Sequence, residues 1–132
     1  MATESVPFTK EGFDQLSAEL NQLKSVERQK IIDEIAAARA HGDLSENAEY
    51  HAAREKQGFV EARINDLEDK LSRGQVVSPD TQDTSRIGFG AWVTLVDEET
   101  GAEKKYRIVG ELEASIEEGK ISLSSPIARA LM

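Results

Sequence analysis

The chain of 132 residues contains no cysteine, three prolines and only 5% aromatic residues. Lack of cysteine excludes a scaffold built on disulfides. No apolar run approaches the roughly 18 residues that a membrane-spanning helix needs. The opening MATESVPF carries Glu4 and has no basic segment with an apolar stretch behind it, so it does not read as a secretory signal. With neither cysteine nor an export signal, the expected setting is soluble and cytoplasmic. GxGxxG, P-loop, CxxC, HExxH and nucleophile-elbow motifs are all missing, so nothing points to a nucleotide fold or a self-contained hydrolase. What is abundant is charge: 31% of residues, with 25 acids against 16 bases and a net charge of −9. That balance, beside 39% hydrophobic residues, favours long solvated helices over one thick core. A pI near 4.7 argues against wrapping duplex DNA, so any nucleic-acid contact should be local or arranged by a partner.

Periodicity divides the chain. From Thr9 to about His41 the apolar residues Phe13, Leu16, Leu20 and Leu23 step by three and four, which is the a/d seam of a coiled coil. Continuing that step puts Glu27 on the seam before Ile31, Ile35 and Ala38 restore it, a stutter that should locally unwind the supercoil. Thr9 is placed to cap this helix, but Gly12 at its third position rules out the reciprocal Glu of a capping box. A second run, from about Ser45 to Ser72, puts Ala53, Val60, Ile64, Leu67 and Leu71 on one face, and Gly74 is expected to close it. Gly58 inside this run is expected at a point of close packing. Together they predict an antiparallel helical hairpin over residues 1–78 with its tip at 42–46. After Gly74 the pattern changes to short β-branched runs at Gln75–Ser78, Ala91–Val96, Glu103–Val109 and Lys120–Leu123, and a polar linker runs from Ser78 to Gly88. The turn-rich DEETG predicts a hairpin between the second and third of these, and Pro126 opens a short final helix. Trp92 is expected in the core of this 79–132 domain.

The tip HGDLSENAEYH, residues 41–51, concentrates the polar chemistry. As ordinary helix-end chemistry, Asp43 or Ser45 caps orphan amides while Glu46 and Glu49 complement the helix dipole, and on spacing alone this reading is favoured. In the alternative, Asp43 and Glu46, three apart around a turn, converge as hard-oxygen ligands for Mg²⁺ or Mn²⁺, half of a shell that something else must complete. His41 and His51, ten apart with no cysteine, fit no zinc spacing. Arg39 and Arg54 lie on opposite arms behind the tip, either as solvated charges or as a basic spot able to hold a phosphodiester.

The run IIDEIAAARAHGDLSENAEYHAAREKQGFVEARINDLEDKL, with FGAWVTLVD, YRIVG and SPIARAL, closely resembles the Gre family of bacterial transcript cleavage factors, its GreA branch in particular. The resemblance covers almost the whole chain. It implies an α+β architecture: an antiparallel coiled coil followed by a small C-terminal FKBP-like β domain. It also implies an RNA polymerase partner whose secondary channel admits the coiled coil, so that a backtracked nascent RNA is cut near its 3′ end. Carried over by motif, the catalytic acids fall on Asp43 and Glu46, sharing a Mg²⁺ that polymerase completes, and the RNA-facing bases on Arg39 and Arg54. No independent enzymatic activity, small-molecule substrate or membrane partner is expected. Ser45 departs from relatives with a basic residue there. The family pattern continues past SPIARAL with a glycine turn and two further strands, so an incomplete β domain with an open edge is expected. The competing functions are a polymerase-binding regulator without cleavage stimulation and a plain helical interaction module.

Overall fold

In the computed structural model, residues 4–42, 47–78 and 85–132 are described. The seam produces the helices it predicts. Helix α1 (Lys10–Gln22), a π-helical turn (Leu23–Glu27) and α2 (Arg28–Arg39) run without a break, and α3 (Ala48–Ser72) returns antiparallel to them. The π turn is the stutter made physical. Leu23 and Ile35 are twelve residues apart on one face, whereas three turns of α-helix use about 10.8. A π turn absorbs about one extra residue, and it is closed here by the Arg28 amide donating to the Leu23 carbonyl, five residues back. Glu27 is correspondingly half-buried, on the seam as its spacing requires.

Contact density groups residues 15–72 in one unit and residues 1–14 with 73–132 in another. In the helical unit, Ile31, Ile35 and Ala53 form a buried cluster against which Tyr50 and Val60 pack, and Ile64 and Leu67 are buried further along α3. Each fully buried aliphatic side chain of this kind stabilises the fold by about 1.5–3 kcal/mol. Gly58 is exposed, and a Cβ there would meet nothing within 4 Å, so close packing is not its role. Nor does Gly74 cap α3 in a left-handed conformation. It begins a strand.

The second unit is built on pairings of long sequence separation. Strand β1 (Val6–Phe8) pairs in parallel with β2 (Gly74–Val76). This brings the N-terminal segment to the unit that follows α3, and it explains why the first 14 residues group there. Strands β3 (Trp92–Val96), β4 (Glu103–Val109) and β5 (Lys120–Ser122) form a sheet in that order, β3 antiparallel and β5 parallel to β4. As DEETG predicted, β3 and β4 are joined by a tight turn. Asp97 Oδ1 accepts from the Glu99 and Thr100 amides, and Gly101 adopts φ 76°. Two 3₁₀ turns (Glu111–Glu113 and Ile116–Glu118) connect β4 to β5. Ser125 caps α4 (Pro126–Leu131), its hydroxyl accepting from the Ala128 amide at 3.2 Å. Phe8, Ile108, Val109 and Ala128 are its buried apolar residues, with Phe13 edge-on to Phe8 at 5.5 Å.

Thr9 caps α1 as predicted, accepting from the Gly12 amide at 3.1 Å. The carboxylate that the sequence denies it at the third helical position arrives from 104 residues away. Glu113 accepts from the Thr9 amide at 3.0 Å, from the Thr9 hydroxyl, and from the Gly110 amide at 2.9 Å. A Cβ at Gly12 would fall 1.8 Å from Glu113 Oε1, so Gly12 leaves room for the group that completes the cap. No helix among the described residues is long and apolar enough to cross a membrane.

Candidate functional site at the hairpin tip

Asp43 and Glu46, with Leu44 and Ser45, lie outside the described residues; the structure describes what flanks them. Helix α2 ends in hydrogen bonds from the His41 amide to the Ala38 carbonyl at 3.1 Å and from the Gly42 amide to the Arg39 carbonyl at 3.3 Å, with Gly42 at φ 108°. On the other arm, α3 is capped by Asn47. Its Oδ1 accepts from the Tyr50 amide at 3.0 Å, while its Nδ2 donates across the hairpin to the Ala38 carbonyl at 2.6 Å. The capping duty assigned to Asp43 or Ser45 therefore belongs to Asn47. Only one cap residue is used per helix start, and Asn serves there as well as Asp or Ser.

Behind the tip, Arg39 of α2 and Arg54 of α3 line one groove, floored by Ile32, Ile35 and Ala36 and flanked by Gln57. Spacing on two separate helices thus brings both bases to one face. The Arg39 guanidinium lies over the Tyr50 ring, 5.9 Å from its centroid, and Arg54 donates to Gln57 Oε1 at 3.1 Å. Tyr50 is held in turn by the Ile31–Ile35–Ala53 cluster, so a cation–π contact steadies Arg39 without neutralising it. Neither arginine pairs with a carboxylate among the described residues. The other face is mixed in sign: Glu34, Glu49 and Lys56 line it, Lys56 sits 3.5 Å from Glu34, and His41 lies 4.0 Å from Glu49. No cluster of three or more His, Cys, Asp or Glu able to hold a metal exists among the described residues.

Farther from the tip the bases are committed. Arg28 makes two bonds of 2.9 Å to Glu61, Arg63 two of 2.6 and 3.1 Å to Glu19, and Lys24 lies 3.0 Å from Glu68. The Arg28 hydrogen bonds hold the Glu61 carboxyl below its ordinary range, and the Glu19 carboxylate raises Arg63.

The sequence marks Asn47 and Tyr50 only as polar residues of the tip, without the roles they take here. A capping signal three residues before Tyr50 was present in ENAEY, but three acids and a serine nearby offered the same chemistry. Trp92 corrects a second expectation. It is 49% exposed, with Lys105 Nζ 5.1 Å and Arg107 Cζ 6.0 Å from its ring centroid, because β3 turns Trp92, Thr94 and Val96 to the exposed face of the sheet.

Residues 6–76 match the family described as "Transcription elongation factor, N-terminal", and residues 81–132 match "Transcription elongation factor, GreA/GreB, C-term". The chain is 60% identical over 129 residues to "Transcription elongation factor GreA" of Ruegeria pomeroyi and 57% identical to the protein of that name in Paracoccus denitrificans. Each alignment covers 98% of this chain and 82% of the relative. Among solved structures it is similar to "Structure of the transcription factor Gfh1", with 28% identity, a TM-score of 0.56, and coverage of 99% of this chain and 83% of that one. The Gfh1 of Thermus aquaticus matches with 32% identity and a TM-score of 0.52, over 99% and 83% of the two chains.

Proposed function

This chain belongs to the GreA/GreB family of transcription elongation factors, and from that premise we propose that it stimulates cleavage of backtracked nascent RNA by bacterial RNA polymerase in the cytoplasm, entering the secondary channel tip first. The observation that carries this reading is the division of labour at the tip. Asn47 supplies the cap of α3, and behind the tip Arg39 and Arg54 share one groove with no carboxylate partner among the described residues.

In this mechanism Asp43 and Glu46 contribute hard oxygen ligands to a Mg²⁺ that polymerase holds jointly. The donor set fits that role and no fuller one, since two carboxylates serve only part of a six-oxygen shell and no further acidic cluster supports them among the described residues. Once held, the metal supplies activation of water and relief of charge on the leaving oxygen. Arg39 and Arg54 bind phosphates of the extruded RNA and orient it, which fixes position without reading sequence. The isolated chain, holding half a site, cleaves nothing by itself.

Stalled, backtracked elongation complexes with Mg²⁺ test the proposal. The parental chain should accelerate release of the RNA 3′ fragment. A double Asp43→Ala, Glu46→Ala variant should lose that acceleration while binding polymerase and keeping its helicity. Cleavage at the parental rate by the double variant overturns the assignment. Binding by the parental chain with no acceleration means a regulator without cleavage stimulation.

A further inference from the structure

We propose that the exposed face of the β3–β4–β5 sheet is a platform for single-stranded RNA: a base stacks on Trp92, and Lys105 meets the phosphate beside it. The stack and the phosphate contact rest on the sheet alone; the choice of RNA over DNA rests on the proposed action on a nascent transcript.

The pairing register builds the site. Trp92 lies opposite Arg107, Thr94 opposite Lys105, and Arg107 in turn opposite Lys120, so one face gathers three bases with the chain's single tryptophan. The indole is half-exposed, with Lys105 Nζ 5.1 Å and Arg107 Cζ 6.0 Å from its ring centroid. Two of the bases have other partners. Arg107 donates to the Gly90 carbonyl at 3.0 Å and to Glu11 at 3.2 Å, and Lys120 lies 3.0 Å from Glu118. Lys105 is exposed and has no carboxylate partner among the described residues. Arg107 therefore positions the indole, and Lys105 carries the uncompensated charge beside it.

The make-up of the face decides between an RNA and a protein partner. The core of a protein interface is apolar and poor in charge, whereas here Trp92 and Val96 are separated by Thr94 and bordered by cations. An aromatic ring set among bases suits a strand with unpaired bases, because every base has a face to stack and a phosphate follows at each step. A duplex keeps its bases stacked on one another and offers the ring nothing. Toward the β3–β4 turn the face ends in Val96, Glu103 and the acids Asp97, Glu98 and Glu99, which confine the contact to the Trp92 end. With a single ring and a single uncompensated lysine, binding is weak and local, with a dissociation constant on the order of 0.1 mM, the weak end of non-specific nucleic-acid binding.

Trp92 is the chain's only tryptophan, so its fluorescence reports on the site directly. A single-stranded oligouridylate of about twelve residues, titrated into the free chain at low salt, should quench that fluorescence saturably, and the same strand paired with oligoadenylate should not. Followed by the anisotropy of a labelled strand, Trp92→Leu should bind about tenfold more weakly, with Trp92→Phe between it and the parental chain. Lys105→Gln, at an exposed position, should weaken binding and flatten the slope of log affinity against log salt by about 0.7, the share of one phosphate contact on a single strand. Absence of quenching up to about 1 mM strand, ten times the expected constant, overturns the proposal. So does quenching by the duplex equal to that by the single strand, or affinity unchanged in both Trp92→Leu and Lys105→Gln. Polyglutamate binding as tightly as the oligouridylate overturns it in favour of an acidic protein surface, and tighter binding of oligodeoxyuridylate overturns the choice of RNA. The titration needs neither polymerase nor the tip acids, so the Asp43→Ala, Glu46→Ala variant should bind the strand as the parental chain does, whatever its effect on cleavage.

Discussion

The two halves of the helical hairpin use the same residue types for opposite ends. Away from the turn, between Glu19 and Arg28 on one arm and Glu61 and Glu68 on the other, every base named above is bonded to an acid on the facing arm. Nearer the turn the seam shrinks from isoleucine and leucine to Ala38 and Ala53, and Arg39 and Arg54 line a groove with no carboxylate partner among the described residues. One half spends its charge on itself, while the other sets two arginines without a carboxylate partner among the described residues beside the Lys56–Glu34 pair. An arginine is thus informative only with its partner in view, since spacing alone gives Arg28 and Arg39 equal standing.

The largest expected effect separates the halves by stability. Leu67→Ala, at a fully buried seam position, should cost about 3 kcal/mol in chemical denaturation, whereas Ile32→Ala, 45% exposed in the groove, should cost less than about 1 kcal/mol. Equal costs would erase the distinction between a holding half and a working half. A smaller effect separates them by function. Arg39→Ala or Arg54→Ala should slow stimulated RNA cleavage several-fold at low salt, with a gap that narrows as salt rises, and should leave the melting temperature unchanged. Arg63→Ala should do the reverse, lowering the melting temperature with cleavage intact. Tyr50→Leu, which keeps apolar bulk but removes the ring beneath Arg39, should reproduce part of the Arg39→Ala defect, and Tyr50→Phe should not. The smallest effect is on pH dependence. Because Arg28 holds Glu61 below the ordinary carboxylate range, the pair contributes fully above that range and loses its contribution as pH falls through the lowered value. The stability difference between the parental chain and Glu61→Gln should accordingly shrink on acidification from neutral pH, and a constant difference would deny the pair its role.

What the sequence made legible is what short-range periodicity encodes. The steps Phe13, Leu16, Leu20, Leu23 fixed one arm, and the displaced Glu27 located the π turn to within a residue or two, because a phase error in the seam has to be absorbed somewhere nearby. Strands β3 to β5 were legible from β-branched runs and the DEETG turn. Illegible were the features that depend on a distant partner. β1 is three residues with a central proline, and only its pairing with residues 74–76 makes it a strand. Trp92 was misplaced because alternation along β3 tells which residues share a face but not which face is covered. At the tip, the bases were legible as neighbours across the arms. The cap was not, since Asp43, Ser45 and Asn47 are chemically equivalent candidates until the helix start is known.

The carboxylate of Glu113 at the head of α1 bears on how the chain folds as it is made. Thr9 leaves the ribosome 104 residues ahead of the group that completes its cap. At bacterial-scale synthesis rates of about 5–20 residues per second, that interval is on the order of ten seconds, far longer than a helix needs to form. Throughout that time the first turn of α1 has its own threonine and nothing more. The hairpin is therefore assembled with a provisional beginning, sealed only when residues 110–113 emerge, and a nascent chain arrested before that point would carry a formed seam behind a frayed start.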